Sequence, residues 1–309
     1  MKPTVAIVGC GIVGTAIGKL LARAGYHIGG VATKSLETAG RAAKVIGAER
    51  FSDCPWGVSR AQVVFIATPD DAIESTCKAI AEHEGFEKNA VVIHCSGALS
   101  SDVLSWARQC GATVATLHPL QSFASVDQAE ALVPGSFCAV EGDEAALVVV
   151  RRLVNDVGGI LMEISAEGKT LYHAAAVVAS NYLVTLIDLA LELEGAAGMP
   201  RDVSFRALFP LIKGTLGNID AMGIPEALTG PIARGDVDTV AAHLKAIEKY
   251  APVLLTIYKT LGLYTVDLGR AKGTLGKEAA DKLVGLLGTE EANTEKPEPY
   301  DFSLMKEIE

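Results

Sequence analysis

Thr4-Val5-Ala6-Ile7-Val8-Gly9-Cys10-Gly11-Ile12-Val13-Gly14 stands at the start of the chain. An apolar run ends in G-x-G-x-x-G, and a helical pattern follows at once. That is the strand–turn–helix setting a dinucleotide-binding fingerprint requires. Gly9 permits the tight turn, Gly11 lets the backbone approach a pyrophosphate, and Gly14 lets helix and strand pack closely. The first helical turn, at Ile12 and Val13, offers free N–H groups and a positive dipole end to the phosphates. A glycine-rich turn without a ligand is the plainer reading of the same residues.

Working outward, short apolar runs alternate with helical patterns, which predicts a parallel sheet covered on both faces. Strands are expected at Val5–Val8, His27–Thr33, Val63–Ala67, Val91–His94 and Thr113–Thr116, with helices at about 12–24 and 36–46. Phe137–Val140, a helix near 144–157 and Ile160–Ile164 read as one more β-α-β element. From about Ala166 the pattern turns helical, with a long apolar helix ending near Gly195–Gly198 and further helices at about 203–217, 237–250, 252–261 and 277–287. The expected fold class is therefore α/β: an N-terminal doubly wound, mostly parallel sheet (1–165) followed by an all-α domain (166–288). Residues 289–309 carry seven acids against Lys296 and Lys306, with Pro297 and Pro299, and read as a solvated acidic tail.

The bulk numbers narrow the function. The 309 residues are 50% hydrophobic with net charge −10, which argues against nucleic acid and anionic membranes as partners. Six scattered cysteines form no C-x-x-C, and no Cys/His spacing suits a metal, so no metal site is expected and a reducing cytoplasm fits. The apolar stretch Leu171–Leu193 contains His173, Asn181, Thr185, Asp188 and Glu192, polar enough to favour a helix buried at a domain or subunit interface over a membrane span.

In an open α/β sheet the ligand lies beyond the carboxyl ends of the strands. Strand 2 runs out in Ala32-Thr33-Lys34-Ser35. An NAD-preferring fold places Asp or Glu there to accept from the ribose 2′-OH. A cation between two hydroxyls suits a 2′-phosphate instead, so NADP is expected over NAD. An exposed turn lysine, with Ser35 capping the next helix, is the alternative. Thr68-Pro69-Asp70 follows strand 4, and the bend at Pro69 is expected to set Thr68 beside the cofactor.

Hydride transfer needs a polar group that holds or moves a proton beside the reacting carbon. Ser96 follows strand 5 and His118 follows strand 6, in Leu117-His118-Pro119-Leu120-Gln121-Ser122-Phe123. Lys169 and His173 share a helix face at i, i+4, and Asn181 continues it with some drift. These five are the catalytic candidates, and Ser96 is also a cofactor candidate. A structural histidine, a solvated Lys169 and a satisfied core amide at Asn181 are the competing readings. Arg234, in Thr229-Gly230-Pro231-Ile232-Ala233-Arg234-Gly235-Asp236, reads better as part of a helix–helix connection than as an anion clamp.

Those motifs, with His94-Cys95-Ser96-Gly97-Ala98-Leu99 and Tyr172-His173-Ala174-Ala175-Ala176 running into Ser180-Asn181-Tyr182, resemble the bacterial Rossmann-like NADP oxidoreductases of the deazaflavin-dependent type, which carry a helical C-terminal domain of unknown function. The resemblance covers about residues 4–285. It implies NADP binding and a helix-mediated homodimer, and supplies no substrate. More distantly, the layout is similar to 6-phosphogluconate and β-hydroxyacid dehydrogenases, pyrroline-5-carboxylate reductase and prephenate dehydrogenase. The His118-Pro119 turn resembles the prephenate dehydrogenase turn whose histidine contacts the substrate hydroxyl. Gly168-Lys169 keeps the lysine of the hydroxyacid dehydrogenase helix, but His173 stands where that helix has Asn. The expected function is hydride transfer between NADP(H) and a small organic substrate. Transfer to a deazaflavin coenzyme and a non-catalytic NADP sensor are the alternatives.

Overall fold

A computed structural model describes residues 1–288; the expected acidic tail at 289–309 lies outside the described residues. The chain divides into two compact units, Met1–Tyr182 and one beginning at Leu183.

The first unit is built in chain order from β1 (Val5–Val8), α1 (Ile12–Arg23), β2 (Ile28–Ala32), α2 (Leu36–Ile46), β3 (Phe51–Ser52), β4 (Val63–Ile66), α3 (Asp70–Glu82), β5 (Val91–His94), α4 (Ser105–Gln109), β6 (Thr113–Pro119), α5 (Val126–Leu132), β7 (Phe137–Gly142), α6 (Glu144–Asp156) and β8 (Ile160–Glu163). The start of α7 (Lys169–Ala196) completes it. The eight strands lie in the order β3-β2-β1-β4-β5-β6-β7-β8, all neighbours parallel except β6 and β7. This is the expected doubly wound α/β sheet. Strand alternation splits the core between its faces. Val5 and Ile7 pack with Ile17 and Leu21 on one side, while Val8, Val64 and Ile66 pack with Ile73 and Ile80 on the other.

The sheet corrects two readings. The short β3 was not expected; its two residues pair Val31 and Ala32 and carry too little pattern to be seen. The sixth strand does not stop at Thr116. It runs to Pro119, because antiparallel β7 pairs Leu117 with Val140, His118 with Ala139 and Pro119 with Cys138. His118 therefore stands within a strand, not in the loop beyond one.

The second unit holds the rest of α7, then α8 (Arg201–Met222), α9 (Val237–Tyr250), α10 (Leu255–Lys272) and α11 (Lys277–Leu287), around a core of Ile232, Val240, Val266, Leu283 and Leu287. α10 outruns its expected end at 261 by three turns. Gly262, just past that end, is a packing residue: a Cβ there would stand 2.8 Å from Leu287 Cδ2.

Candidate functional site

The order of strands reverses between β1 and β4, so the crevice beyond their carboxyl ends is the place for a ligand. The glycine turn opens into it. Gly9 has φ +97°, and a Cβ there would meet the Ala67 carbonyl carbon at 2.6 Å. A Cβ at Gly14 would collide with the Gly9 carbonyl oxygen. Gly11 differs: a Cβ there meets nothing within 4 Å, and the residue is exposed. The N–H groups of Ile12, Val13 and Gly14 lie in the first turn of α1, where no intrahelical acceptor exists. Two glycines thus serve packing, and the third faces open space at a helix N-terminus. Across the crevice Thr68 follows β4, and its Oγ1 is buried with no hydrogen-bond partner among the described residues. An orphaned hydroxyl beside a cradle of free N–H groups fits a dinucleotide.

At the end of β2 the polar side chains are partly committed. Ser35 caps α2, accepting from the Thr38 N–H at 3.3 Å, and the Thr33 hydroxyl donates to the Ser35 carbonyl at 2.9 Å. Lys34 between them is exposed. Pro69 N-caps α3, which opens with Asp70 and Asp71.

The turn after β5 is held from several directions. His94, fully buried, accepts the Ser96 N–H on Nδ1 at 3.1 Å. Its Nε2 therefore carries the proton and donates to the Ser100 carbonyl at 3.0 Å. Burial, with the Lys169 charge nearby, pushes its pKa down to about 4. Ser96 donates its hydroxyl to Asp70 at 2.7 Å and accepts the N–H groups of Ala98 and Leu99 at 3.1 Å each. One donor and two lone pairs are all a hydroxyl has. Ser96 therefore has no capacity left to hold a substrate oxygen, and its side chain builds the turn.

Lys169 fixes the same turn from α7. Its side chain is fully buried, and Nζ donates to the Ser96 carbonyl and to Thr116 Oγ1, each at 3.1 Å. Burial lowers its pKa to about 8, against the opposing pull of Glu141 and Asp70. This corrects both readings of Lys169 made from sequence: it is neither solvated nor able to touch a substrate. Its charge at a helix N-terminus is answered by those carboxylates and by the two acceptors. Glu141 in turn accepts from the Ser101 N–H at 2.8 Å and its hydroxyl at 2.7 Å.

His118 and Thr116 point to one face of β6, two residues apart. His118 Nδ1 is hydrogen-bonded to the Tyr172 hydroxyl at 2.8 Å. His173 lies edge-on to it, ring centroids 6.3 Å apart. The two imidazoles meet over Gly97: a Cβ there would stand 2.7 Å from His173 Cδ2 and 2.9 Å from His118 Nε2. Burial, then Lys169 and His173, push the His118 pKa down to about 4, so the ring is neutral at pH 7. The structure thus gathers Ser96, His118, Lys169 and His173. It does not bring in Asn181, which is exposed and lies twelve residues, about 18 Å of helix, beyond Lys169. Sequence reasoning passed over Gly97, Tyr172, Asp70 and His94 as site residues. All four stand in or beside the quoted motifs; the partners of Gly97, Tyr172 and Asp70 are far away in sequence, whereas those of His94, Ser96 and Ser100, are close by.

Residues 1–119 match the family described as a Rossmann-like domain, and residues 136–265 match a domain of unknown function, DUF2520. No curated protein matches the chain. Among solved structures, protein TM1727 from Thermotoga maritima is 26% identical with TM-score 0.69, covering 90% of this chain and 98% of its own. Protein BF3122 from Bacteroides fragilis, provisionally assigned as an NADP oxidoreductase, is 22% identical with TM-score 0.68, covering 88% and 98%. An imine reductase from Myxococcus stipitatus in complex with NADP+ is 14% identical with TM-score 0.61, covering 91% and 100%. The chain thus joins a Rossmann-like domain to a DUF2520 domain, on a fold shared with these proteins.

Proposed function

We propose that this chain is an NADP-dependent oxidoreductase that transfers hydride between NADP(H) and a small organic substrate. The observation that carries this reading is the turn from Gly9 to Gly14, with Gly11 open to a pyrophosphate and the orphaned Thr68 hydroxyl beside it. Gly11 and the N–H groups of Ile12, Val13 and Gly14 hold the pyrophosphate, on the turn that Gly9 permits; Thr68 and Pro69 border the cofactor. Thr33, Lys34 and Ser35 receive a 2′-phosphate, Lys34 being exposed and no carboxylate standing among them. Two of the structural neighbours, the Bacteroides protein and the imine reductase, are named for NADP. Bound NADPH supplies the hydride. The protein's part is to place a proton-holding group at the Gly97 turn, and His118, with His173 at its edge, is that group. The paired imidazoles favour turnover over a sensor. Lys169 acts through the turn as a positioning residue.

We further propose a homodimer through the helical region, in the cytoplasm, where the six cysteines remain as the free thiols they are here. α7 is long and apolar enough to cross a membrane, yet its first residue is buried against the sheet and it carries Asp188, Glu192 and Glu194. A second copy of the chain suits that surface better than lipid.

Calorimetric titration tests the cofactor. NADPH is expected to bind more tightly than NADH, and Lys34→Ala to weaken NADPH by roughly 10- to 100-fold, the value of one charge-assisted phosphate contact, while leaving NADH unchanged. Equal affinities with a neutral Lys34→Ala would sink the NADP assignment, and binding of neither nucleotide would sink the function.

A further inference from the structure

The hydrogen bond between the Tyr172 hydroxyl and His118 Nδ1 has a direction, and that direction decides what the site offers. The partners are 2.8 Å apart. If Nδ1–H were the donor, the phenolic proton would be left to solvent, because among the described residues the Tyr172 hydroxyl has no other partner. A phenol is also the stronger acid and imidazole the stronger base, so O–H to N is the better-matched bond. His118 is neutral at pH 7 and so has one ring nitrogen free to accept. With Nδ1 accepting, the ring proton must sit on Nε2. That is the atom 2.9 Å from where a Gly97 side chain would begin, so only glycine fits against the ring at this position, and His118 stays half-buried rather than sealed in.

We propose that Tyr172 is a positioning residue that holds His118 as the Nε2–H tautomer, so that the Gly97 turn presents a hydrogen-bond donor to a carbonyl oxygen on the substrate. This deepens the reading of the chain as an oxidoreductase and rests on it. The charged groups around the turn agree. Lys169 and His173 face His118 from α7, and Asp70 faces it from α3. Asp70 is engaged by the Ser96 hydroxyl, and the Lys169 ammonium contributes a positive field. An N–H donor with a cation behind it attracts the partial negative charge of a carbonyl oxygen and any oxyanion developing there. It repels a protonated iminium, whose nitrogen has a proton and no lone pair. The site therefore takes aldehydes or ketones in preference to iminium substrates, although one structural neighbour is an imine reductase.

Two measurements on the full chain test this. In protein labelled with 15N-histidine, long-range 15N–1H spectra report which ring nitrogen carries the proton, His118 being assigned by the signal missing from His118→Gln. The expected result between pH 6 and 8 is a single species protonated on Nε2, giving way in Tyr172→Phe to a mixture of tautomers. Protonation on Nδ1 in the wild type, or an unchanged spectrum in the variant, overturns the proposal. The wild-type spectrum alone decides it if Tyr172→Phe does not fold. The second measurement follows NADPH oxidation with matched carbonyl and iminium panels. Carbonyls are expected to react, with Tyr172→Phe lowering kcat about tenfold, the worth of one positioning hydrogen bond, at nearly constant KM and NADPH affinity. Preference for iminium substrates overturns the substrate class. Failure of NADPH to bind would instead refute the underlying function, while leaving the tautomer result standing.

Discussion

A methyl group added at Gly14 would strike the Gly9 carbonyl oxygen and stand 3.0 Å from the Ala67 Cβ, whereas one added at Gly11 would meet nothing. The same substitution therefore separates folding from binding. Gly14→Ala is expected to cost about 1–3 kcal/mol of stability, as overpacking does, and to lower the melting temperature. Gly11→Ala is expected to melt within about 0.5 kcal/mol of wild type, since φ there is −72°, yet to bind NADPH at least about tenfold more weakly. Wild-type affinity in Gly11→Ala would mean that no pyrophosphate approaches this turn. At this scale the glycine motif was legible because its logic is local: each of the three acts within a few residues or on one adjacent strand. Ser96 and Lys169 were legible only by position. That the Ser96 hydroxyl is saturated by Asp70, Ala98 and Leu99, or that Lys169 reaches Ser96 across 73 residues, depends on contacts that no local spacing encodes. Gly97 carried no signal at all, since its meaning comes from two histidines on other elements.

Among the elements, β5 ends on a histidine that must stay neutral. The folded pKa of His94 lies near 4, below its ordinary value of 6.5, so between these pH values the unfolded chain binds a proton that the folded chain does not. The stability from the neutral ring is full above pH 6.5 and is lost as pH falls toward 4, with a span of about 3 kcal/mol. Melting temperature is expected to drop across that window, where His118 acts in the same sense, and His94→Gln to make the drop shallower even if the variant is less stable overall. Parallel profiles for variant and wild type would rule out a buried neutral His94. Element boundaries were read well where capping chemistry marks them, as at Ser35 and Asp236, whose side chains accept from Thr38 and Thr239. They were misread where tertiary partners override the local signal. β6 is lengthened by pairing with β7, and α10 passes through Gly262 because Leu287 needs the space.

For the whole molecule, the exposed apolar side chains are the informative feature. Along α7, Leu171, Val178, Tyr182, Val184 and Leu186 are all exposed, and α8 adds Phe205, Phe209 and Leu211. Exposed apolar side chains in such number along two helices mark an interaction surface. Sedimentation equilibrium is expected to give twice 32.2 kDa for the wild type and a shift toward monomer for the double variant Val178→Glu, Val184→Glu. A monomeric wild type at micromolar concentration would refute the dimer. The α/β class and the helical second half were legible at this scale, because strand–helix alternation and its end are patterns over a hundred residues. The division of the chain at 182/183, inside α7, was not, since a continuous helix shows no break in its sequence.

The many anchors on the turn from Ser96 to Leu99 bear on how tightly a ligand can be held there. A loop that must be frozen on binding loses conformational freedom at that moment, and the loss is subtracted from affinity. Here the freezing happened during folding. Asp70, His94 and Lys169 fix the backbone before any ligand arrives, so contacts made at this turn count almost in full toward binding.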